Sequence, residues 1–373
     1  MHNPFTEAEQ TSLRVAGSRE SLTKRAVDWL LESGIQQASG GVARYYRADT
    51  REFRAISTEI TGYAAAALVR LCQMTGQARC LDAAVRAGHY LTRVAWNPVL
   101  KTMPFECRGQ GELAYFFDLG IIARGLLILW RATGETEFLD TAAGCVRSME
   151  ADFRGASGYH PVISLPGKAP VEGNGRWSRH PGCYQLKAAM AWLDAAGAGC
   201  GDNFRELYEE VLAGFLTTHM SFLEAEPDRE RRMDRLHAYC YFLEGLLPRA
   251  GEAGCAQALR EGIEHAGRLL REIRPDFERS DVCAQLLRLR LYAAGLGVAP
   301  LDAAQAESDV AAIQGFQFHD SDPRISGGFS FGRKAGGMTP FVNPVSTVFC
   351  VQALRMWDEH LSGAFRAETL DLV

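Results

Sequence analysis

The sequence is notable first for what it lacks. No apolar run reaches the roughly 18 residues that a membrane-spanning helix needs, so no integral membrane segment is expected. Lys and Arg number 40 against 45 Asp and Glu, a net charge of −5. The basic footprint of a nucleic-acid-binding protein is therefore missing. The N-terminus "MHNPFTEAEQTSLRVAGSRE" has neither the basic start nor the apolar core of a signal peptide. The ten cysteines are scattered, with no CxxC and no Cys/His cluster at zinc spacing. They read as small buried hydrophobes of a protein in a reducing, cytoplasmic compartment. No cofactor and no resident metal are expected; the nearest approach to a cation loop is Asp320 and Asp322 in "HDSDPRIS".

What is present is a repeat. "STEITGYAAAALVRLCQMTGQARCLDAA" at 57–84 is echoed by "FFDLGIIARGLLILWRATGETEFLDTAA" at 116–143. With Gly62 set over Gly120, Leu68 falls on Leu126, Leu71 on Leu129, and Thr75-Gly76 on Thr133-Gly134. Matched apolar positions at a fixed offset signal a structural repeat. Each unit reads as an apolar helix, a tight Thr-Gly turn and an amphipathic helix. The first kind, apolar nearly all round, should be buried; the second should lie outside.

The pattern continues more weakly through "CYQLKAAMAWLDAAG", "LHAYCYFLEGLL" and "DVCAQLLRLRLYAAG", each followed by a polar-faced helix. Two helices remain unpaired: the N-terminal "SRESLTKRAVDWLLESG" and the C-terminal "PVSTVFCVQALRMWDEHL". Together they make a sixth hairpin. The expectation is all-α: a single (α/α)6 toroid over 1–373, with six inner and six outer helices, closed by the chain ends, and with 1–18 as a flexible extension. A linear helical solenoid is the alternative.

Connections from inner to outer helix are short. Those from outer back to inner are long, as at 36–58, 96–116, 154–180 and 317–343. Long loops in a compact domain are usually functional. In a ring they share one face with the N-termini of the inner helices. That face gathers the candidate catalytic residues Glu59, Asp118, His180, Tyr184, His237, Tyr241 and Asp281. It also gathers the candidate binding residues Tyr45, Tyr46, Arg54, Tyr63, Arg108, Trp177, Arg179, Arg235, Arg279, Phe331 and Asn343. Phe53, Phe105, Tyr115, Tyr159 and Phe329 add aromatic surface; Arg44, Arg47, Arg51, Arg176 and Lys334 add positive charge. Aromatic faces with guanidinium forks suit a sugar bearing carboxylate or sulfate. The bland alternative is that first-turn acids merely answer the helix dipole.

The segments "TEITGY", "FDLGIIARGLLILWRATGETEFLDTA", "CYQLKAAMAWLDA", "LHAYCYFLEGLL", "DVCAQLLRL" and "NPVSTVFCVQALRMW" resemble, in this order, the six-hairpin glycosidase-like toroids, and among them bacterial proteins linked to exopolysaccharide production. The resemblance covers residues 20–360. It implies a carbohydrate substrate, with a glycoside hydrolase, uronate-chain lyase or uronyl epimerase activity, and possible partners among polysaccharide-assembly proteins. Hydrolysis would use two carboxyls among Glu59, Asp118 and Asp281. Elimination or epimerisation would use a His or Tyr base with cations nearby. A non-catalytic glycan-binding scaffold and a terpenoid-cyclase-like enzyme are the rival readings. The DxDD motif of such cyclases is absent.

Overall fold

The computed structural model describes the backbone of residues 7–373 except 110, 174, 175 and 225, with side chains from residue 19 onward. Among the described residues thirteen α-helices follow one another: α1 (Glu7–Glu32), α2 (Thr58–Thr75), α3 (Ala78–His89), α4 (Phe116–Thr133), α5 (Thr136–Phe153), α6 (Gln185–Gly197), α7 (Phe204–Leu216), the single turn α8 (Ser221–Glu224), α9 (Arg229–Leu246), α10 (Ala253–Ile273), α11 (Ser280–Gly295), α12 (Ala303–Gln314) and α13 (Pro344–Leu361). The first helix begins at Glu7, inside the segment expected as an extension; residues 1–6 lie outside those described.

The apolar helices α2, α4, α6, α9, α11 and α13 pack each on the next, and α13 packs on α2, closing an inner ring. Helix α1 packs on α13, so the two ends of the chain complete the sixth hairpin. The expected (α/α)6 toroid is therefore the observed architecture. Amphipathic α3, α5, α7, α10 and α12 lie outside, each against its preceding inner helix.

The repeat has a local cause. Gly76 and Gly134 both adopt left-handed backbone, with φ of 68° and 76°, and their N–H groups close the ends of α2 and α4 on Cys72 O and Trp130 O. Only glycine adopts this conformation without strain. Thr75 and Thr133 donate from their hydroxyls to Leu71 O and Leu129 O, and accept from the N–H of Gln77 and Glu135. The other matched pair sets helix spacing. A methyl on Gly62 would stand 2.9 Å from Ile122 Cα, and one on Gly120 would stand 2.6 Å from Ala188 Cα. These glycines let α2, α4 and α6 approach backbone to backbone.

One end of the ring is filled. Lys187, Glu244 and Arg288 are wholly buried, with Lys187 Nζ in an ion pair 3.0 Å from Glu244 Oε2 and Arg288 donating to Glu244 Oε1 at 2.5 Å. Residues 364–373 return to this end, where Leu372 is buried and Val373 O lies within hydrogen-bond distance of Arg288 (3.3 Å) and Lys187 (3.5 Å). The long loops lie at the opposite end and are stitched together by short antiparallel strands. Tyr46–Arg47 pairs with Glu52–Phe53 and with Phe341–Val342, joining the first loop to the last. Leu113–Tyr115 pairs with Val162–Ser164, and Phe277–Arg279 with Gly332–Lys334.

Candidate active site

The loop face holds a cavity of about 470 Å³. Its floor and lower walls come from the first turns of inner helices, Glu59 and Ile60 of α2, Phe117 and Asp118 of α4 and Asp281 of α11, with Tyr184 just before α6; His237 and Tyr241, expected at a helix end, come instead from the middle turns of α9, which begins eight residues earlier at Arg229. The upper walls come from the loops, through Arg44, Tyr45, Phe105, Tyr115, Arg176, Trp177, Ser178, Arg279, Phe331, Phe341 and Asn343, with Val345 from the first turn of α13.

Two carboxyls dominate one wall. Asp118 is buried, and its Oδ2 has no hydrogen-bond partner among the described residues. Burial first, and then the charge of Glu59, push its pKa well above the carboxylate range; Arg44 works weakly the other way. Burial likewise raises Glu59 to about 7, against the pull of Arg44. The repeat explains how both reach the cavity. At an offset of 58, Glu59 corresponds to Phe117 and Ile60 to Asp118, and all four line it. The two copies present an acid and an apolar side chain in opposite order.

On the opposite wall, three residues form a fixed cluster. Arg279 donates from Nε and Nη2 to the two oxygens of Asp281 at 2.9 and 2.6 Å, and from Nη1 to Asp234 at 2.8 Å. Its guanidinium lies 4.3 Å from the centre of the Phe331 ring. Burial alone would raise Asp281, but Arg279 and then His237 outweigh it, and the carboxyl is held below its ordinary range. His237 Nδ1 is 2.8 Å from Gln285 Oε1 and 3.7 Å from Asp281 Oδ2. Both are acceptors, so the proton of the neutral ring belongs on Nδ1. Burial, opposed by Asp281, lowers the His237 pKa to about 4. The ring is therefore neutral at pH 7, and Nε2, with no protein partner among the described residues, carries the lone pair.

Fifteen of the residues singled out in the sequence meet in this cavity: the candidates Glu59, Asp118, Tyr184, His237, Tyr241, Asp281, Tyr45, Trp177, Arg279, Phe331 and Asn343, the last also capping α13 through Val345 and Ser346 N–H, and the added aromatics and cations Phe105, Tyr115, Arg44 and Arg176. Others stand elsewhere. His180 is exposed, and its carbonyl accepts from the Tyr184 hydroxyl at 3.0 Å. Tyr46 is buried against Phe53, and Tyr63 lies beneath the floor with its ring edge-on to Phe349. Arg54 is exposed and Arg108 pairs with Glu106. Arg179 is half-buried behind Tyr115, and Arg235 is tied to Phe222 O and Glu226. None of these seven lines the cavity.

Ile60, Phe117, Ser178, Phe341 and Val345 line the cavity without having been singled out. Phe117 could have been found from its repeat position opposite Glu59. The cation loop at Asp320 and Asp322 is otherwise engaged: Arg324 takes both oxygens of Asp322. Among the described residues the His/carboxylate group with ligand-like spacing is His89, Glu135 and Glu137 on the outer surface, where Arg93 holds Glu137.

No protein-family model matches the sequence, and no curated protein matches it. The fold, however, is shared. A sugar epimerase from a ruminal bacterium superposes over 91% of this chain and 98% of its own, with a TM-score of 0.68 at 11% identity. The cellobiose 2-epimerase of Spirochaeta thermophila DSM 6192 does so over 95% and 100%, with a TM-score of 0.65 at 14% identity. A family 76 glycoside hydrolase (mannosidase) of Bacteroides thetaiotaomicron VPI-5482 does so over 91% and 100%, with a TM-score of 0.55 at 10% identity. At these identities the likeness is one of fold. Among the described residues no helix is long and apolar enough to cross a membrane.

Proposed function

We propose that this protein is a carbohydrate-active enzyme that works by acid/base chemistry on an anionic, uronate-type oligo- or polysaccharide. The observation that carries the reading is the Glu59–Asp118 pair: two buried carboxyls, raised together, at one side of an open cavity. Perturbed titratable groups converging in a cleft are what a catalytic site requires and a simple binding surface does not. The pair is the proton donor. His237 Nε2 is the base facing it, since α9 lies three places from α2 around the six-membered inner ring. Tyr241, whose ring meets His237 edge-on at 4.5 Å, shares that wall.

The rest of the lining supports a sugar. Trp177, Tyr115, Phe331 and Phe341 supply ring faces, and Arg44 and Arg176 supply cations for a carboxylate. Asp281 is then a support for Arg279 rather than a second hydrolytic carboxyl, because both its oxygens are engaged. The mixture of carboxyls and arginines differs from the almost wholly apolar lining that a terpenoid cyclase needs. The fold neighbours named as epimerases and as a mannosidase act on sugars, which agrees with this reading.

The test is a thermal-shift and turnover screen of wild type, Glu59→Gln and His237→Ala. Its substrates are hexasaccharides of a glucuronate–hexosamine chain, of a mannuronate chain and of a neutral glucan. Absorbance at 232 nm reports elimination, new reducing ends report hydrolysis, and deuterium uptake from solvent reports epimerisation. Turnover in one channel that is lost in both folded variants is the expected result. Stabilisation by a glycan without turnover in any channel would leave a binding protein instead.

A further inference from the structure

Three arginines line the cavity among the described residues, and they are differently committed. Arg279 directs Nε, Nη1 and Nη2 to Asp281 and Asp234, and lies against the Phe331 ring. An anion brought there would meet the Asp281 carboxylate. Arg176 stands exposed at the rim. Arg44 donates from Nη1 to Glu106 at 3.3 Å, while its Nε and Nη2 have no protein partner among the described residues. Arg108 pairs with the other oxygen of Glu106. Two guanidiniums thus share one buried carboxylate, and one positive charge is left over at this wall. The main chain fixes Arg44 beside the acid pair. Its N–H donates to Ala55 O at 3.1 Å, just ahead of α2. Thr58 donates from its N–H to Phe105 O at 3.0 Å and from Oγ1 to Pro104 O at 2.8 Å, which ties 104–106 to the first turn of α2. Glu59 stands in that turn, and Arg44 is the cation whose charge bears on both Glu59 and Asp118.

The same wall holds an unanswered atom. Asp118 is 6% exposed, and its Oδ2 has no hydrogen-bond partner among the described residues. Buried polar atoms are nearly always hydrogen-bonded. Burial keeps a proton on this carboxyl, so what Oδ2 lacks is an acceptor. A carboxylate accepts from a guanidinium and from a carboxylic acid at once. An ionised Glu59 beside it would repel such a ligand.

Resting on the reading of the cavity as a site for anionic sugars, we infer that the sugar's carboxylate lies against Arg44 and Asp118, and that the protein takes up one proton from solution, onto the Glu59–Asp118 pair, as it binds. The proton comes from the buffer, and no bond to carbon changes. Without ligand the pair holds its second proton only up to about pH 7, where Glu59 releases it. Above that pH binding restores it, and anion and proton favour each other equally. The hydroxyls of Tyr63, Tyr115, Tyr184 and Tyr241, which surround the pair, are raised by burial and stay protonated here. His237 across the cavity is neutral above about pH 4. Glu106 is in ion pairs with Arg44 and Arg108, and Asp281 with Arg279. From α13 the cavity receives only Asn343 and Val345, which do not titrate. Lys187, lowered to about 7 by burial, faces Glu244 beneath the floor and not the pair.

The experiment is titration calorimetry on the full chain carrying His237→Ala, which keeps the pair and removes the base, so that ligands bind without turnover. The probes are the same two uronate hexasaccharides and their carboxyl-reduced forms. Each is titrated at pH 6 and pH 8 in phosphate and in Tris, whose different heats of ionisation give the number of protons taken up. At pH 8 the uronate chain should bind with the uptake of close to one proton, and at pH 6 with almost none. Its Kd should be roughly tenfold weaker at pH 8 than at pH 6. Adding Glu59→Gln should abolish the uptake and bring the two Kd values within twofold of each other. Adding Arg44→Gln should weaken binding more than tenfold at both pH values, and the carboxyl-reduced chain should show no uptake. If a uronate chain binds with one Kd and no proton uptake at both pH values, or if the uptake survives Glu59→Gln, the coupling is overturned while the acid/base glycan site stands. If no hexasaccharide binds, the glycan reading falls and this inference falls with it.

Discussion

Glu59 and Asp118 face one cavity from neighbouring inner helices, and the charge of Glu59 adds to burial in holding the proton on Asp118. A proton kept near neutral pH between two carboxyls is an acid ready for use.

Replacing Glu59 by Gln keeps the shape and removes the titration. Turnover is expected to fall by roughly 10²–10⁴-fold, the usual worth of a positioned acid or base. Circular dichroism and the melting curve should stay close to wild type. In wild type, the activity that depends on protonated Glu59 should decline as pH rises through about 7.

The same group gives a stability test. Its folded pKa of about 7 stands above the ordinary 4.5, so its stabilising share is complete below pH 4.5 and is lost as pH rises to about 7. A shift of this size corresponds to roughly 3 kcal/mol. Urea unfolding midpoints of wild type and Glu59→Gln should therefore diverge between these limits, with the variant gaining relative stability toward pH 7.

His237 behaves in the opposite sense. Its pKa is lowered to about 4 by burial, against the pull of Asp281, so the ring stays neutral down to that pH. The unfolded ring takes up its proton near 6.5, and the stability tied to neutral His237 is lost as pH falls from 6.5 to 4. NMR of the ring carbons should show no titration above pH 5 and an Nδ1–H tautomer. Gln285→Leu should weaken that tautomer preference and lower kcat more than it raises KM.

Glu244 is set between buried Lys187 and Arg288. Burial would raise its pKa, but Arg288 and then Lys187 hold it below the ordinary range. Glu244→Gln leaves buried Arg288 without its counter-charge, and Lys187, already lowered to about 7 by burial against the pull of Glu244, then sheds its proton. A loss of about 3–5 kcal/mol is expected, measured by urea unfolding.

Gly120→Ala tests the helix spacing. The added methyl would stand 2.6 Å from the Cα, Cβ and O of Ala188, which are mostly backbone and cannot swing aside. Destabilisation of about 1–3 kcal/mol is expected from overpacking. Gly214→Ala, with nothing near its added methyl, should instead be neutral or slightly stabilising.

The sequence by itself determined the ring. Apolar periodicity, the Thr-Gly turns and two unpaired end helices give six hairpins, because local capping and one-sided burial follow from residue order. It also placed Glu59 and Asp118 at one face, since each lies in the first turn of an inner helix; His237 and Tyr241 share that cavity from the middle turns of α9, because α9 begins at Arg229 and not near residue 236. What only the tertiary structure decided is which neighbours each side chain meets. Asp281 and Glu59 look alike in sequence, but strand pairing of 277–279 with 332–334 delivers Arg279 to the one and leaves the other with its proton. His180 precedes an inner helix as His237 lies within one, yet it points to solvent because the 3₁₀ turn Trp177–Arg179 puts Trp177 into the cavity in its place. Phe341 reaches the wall through the pairing of 341–342 with 46–47, loops far apart in the chain, and no local pattern records that.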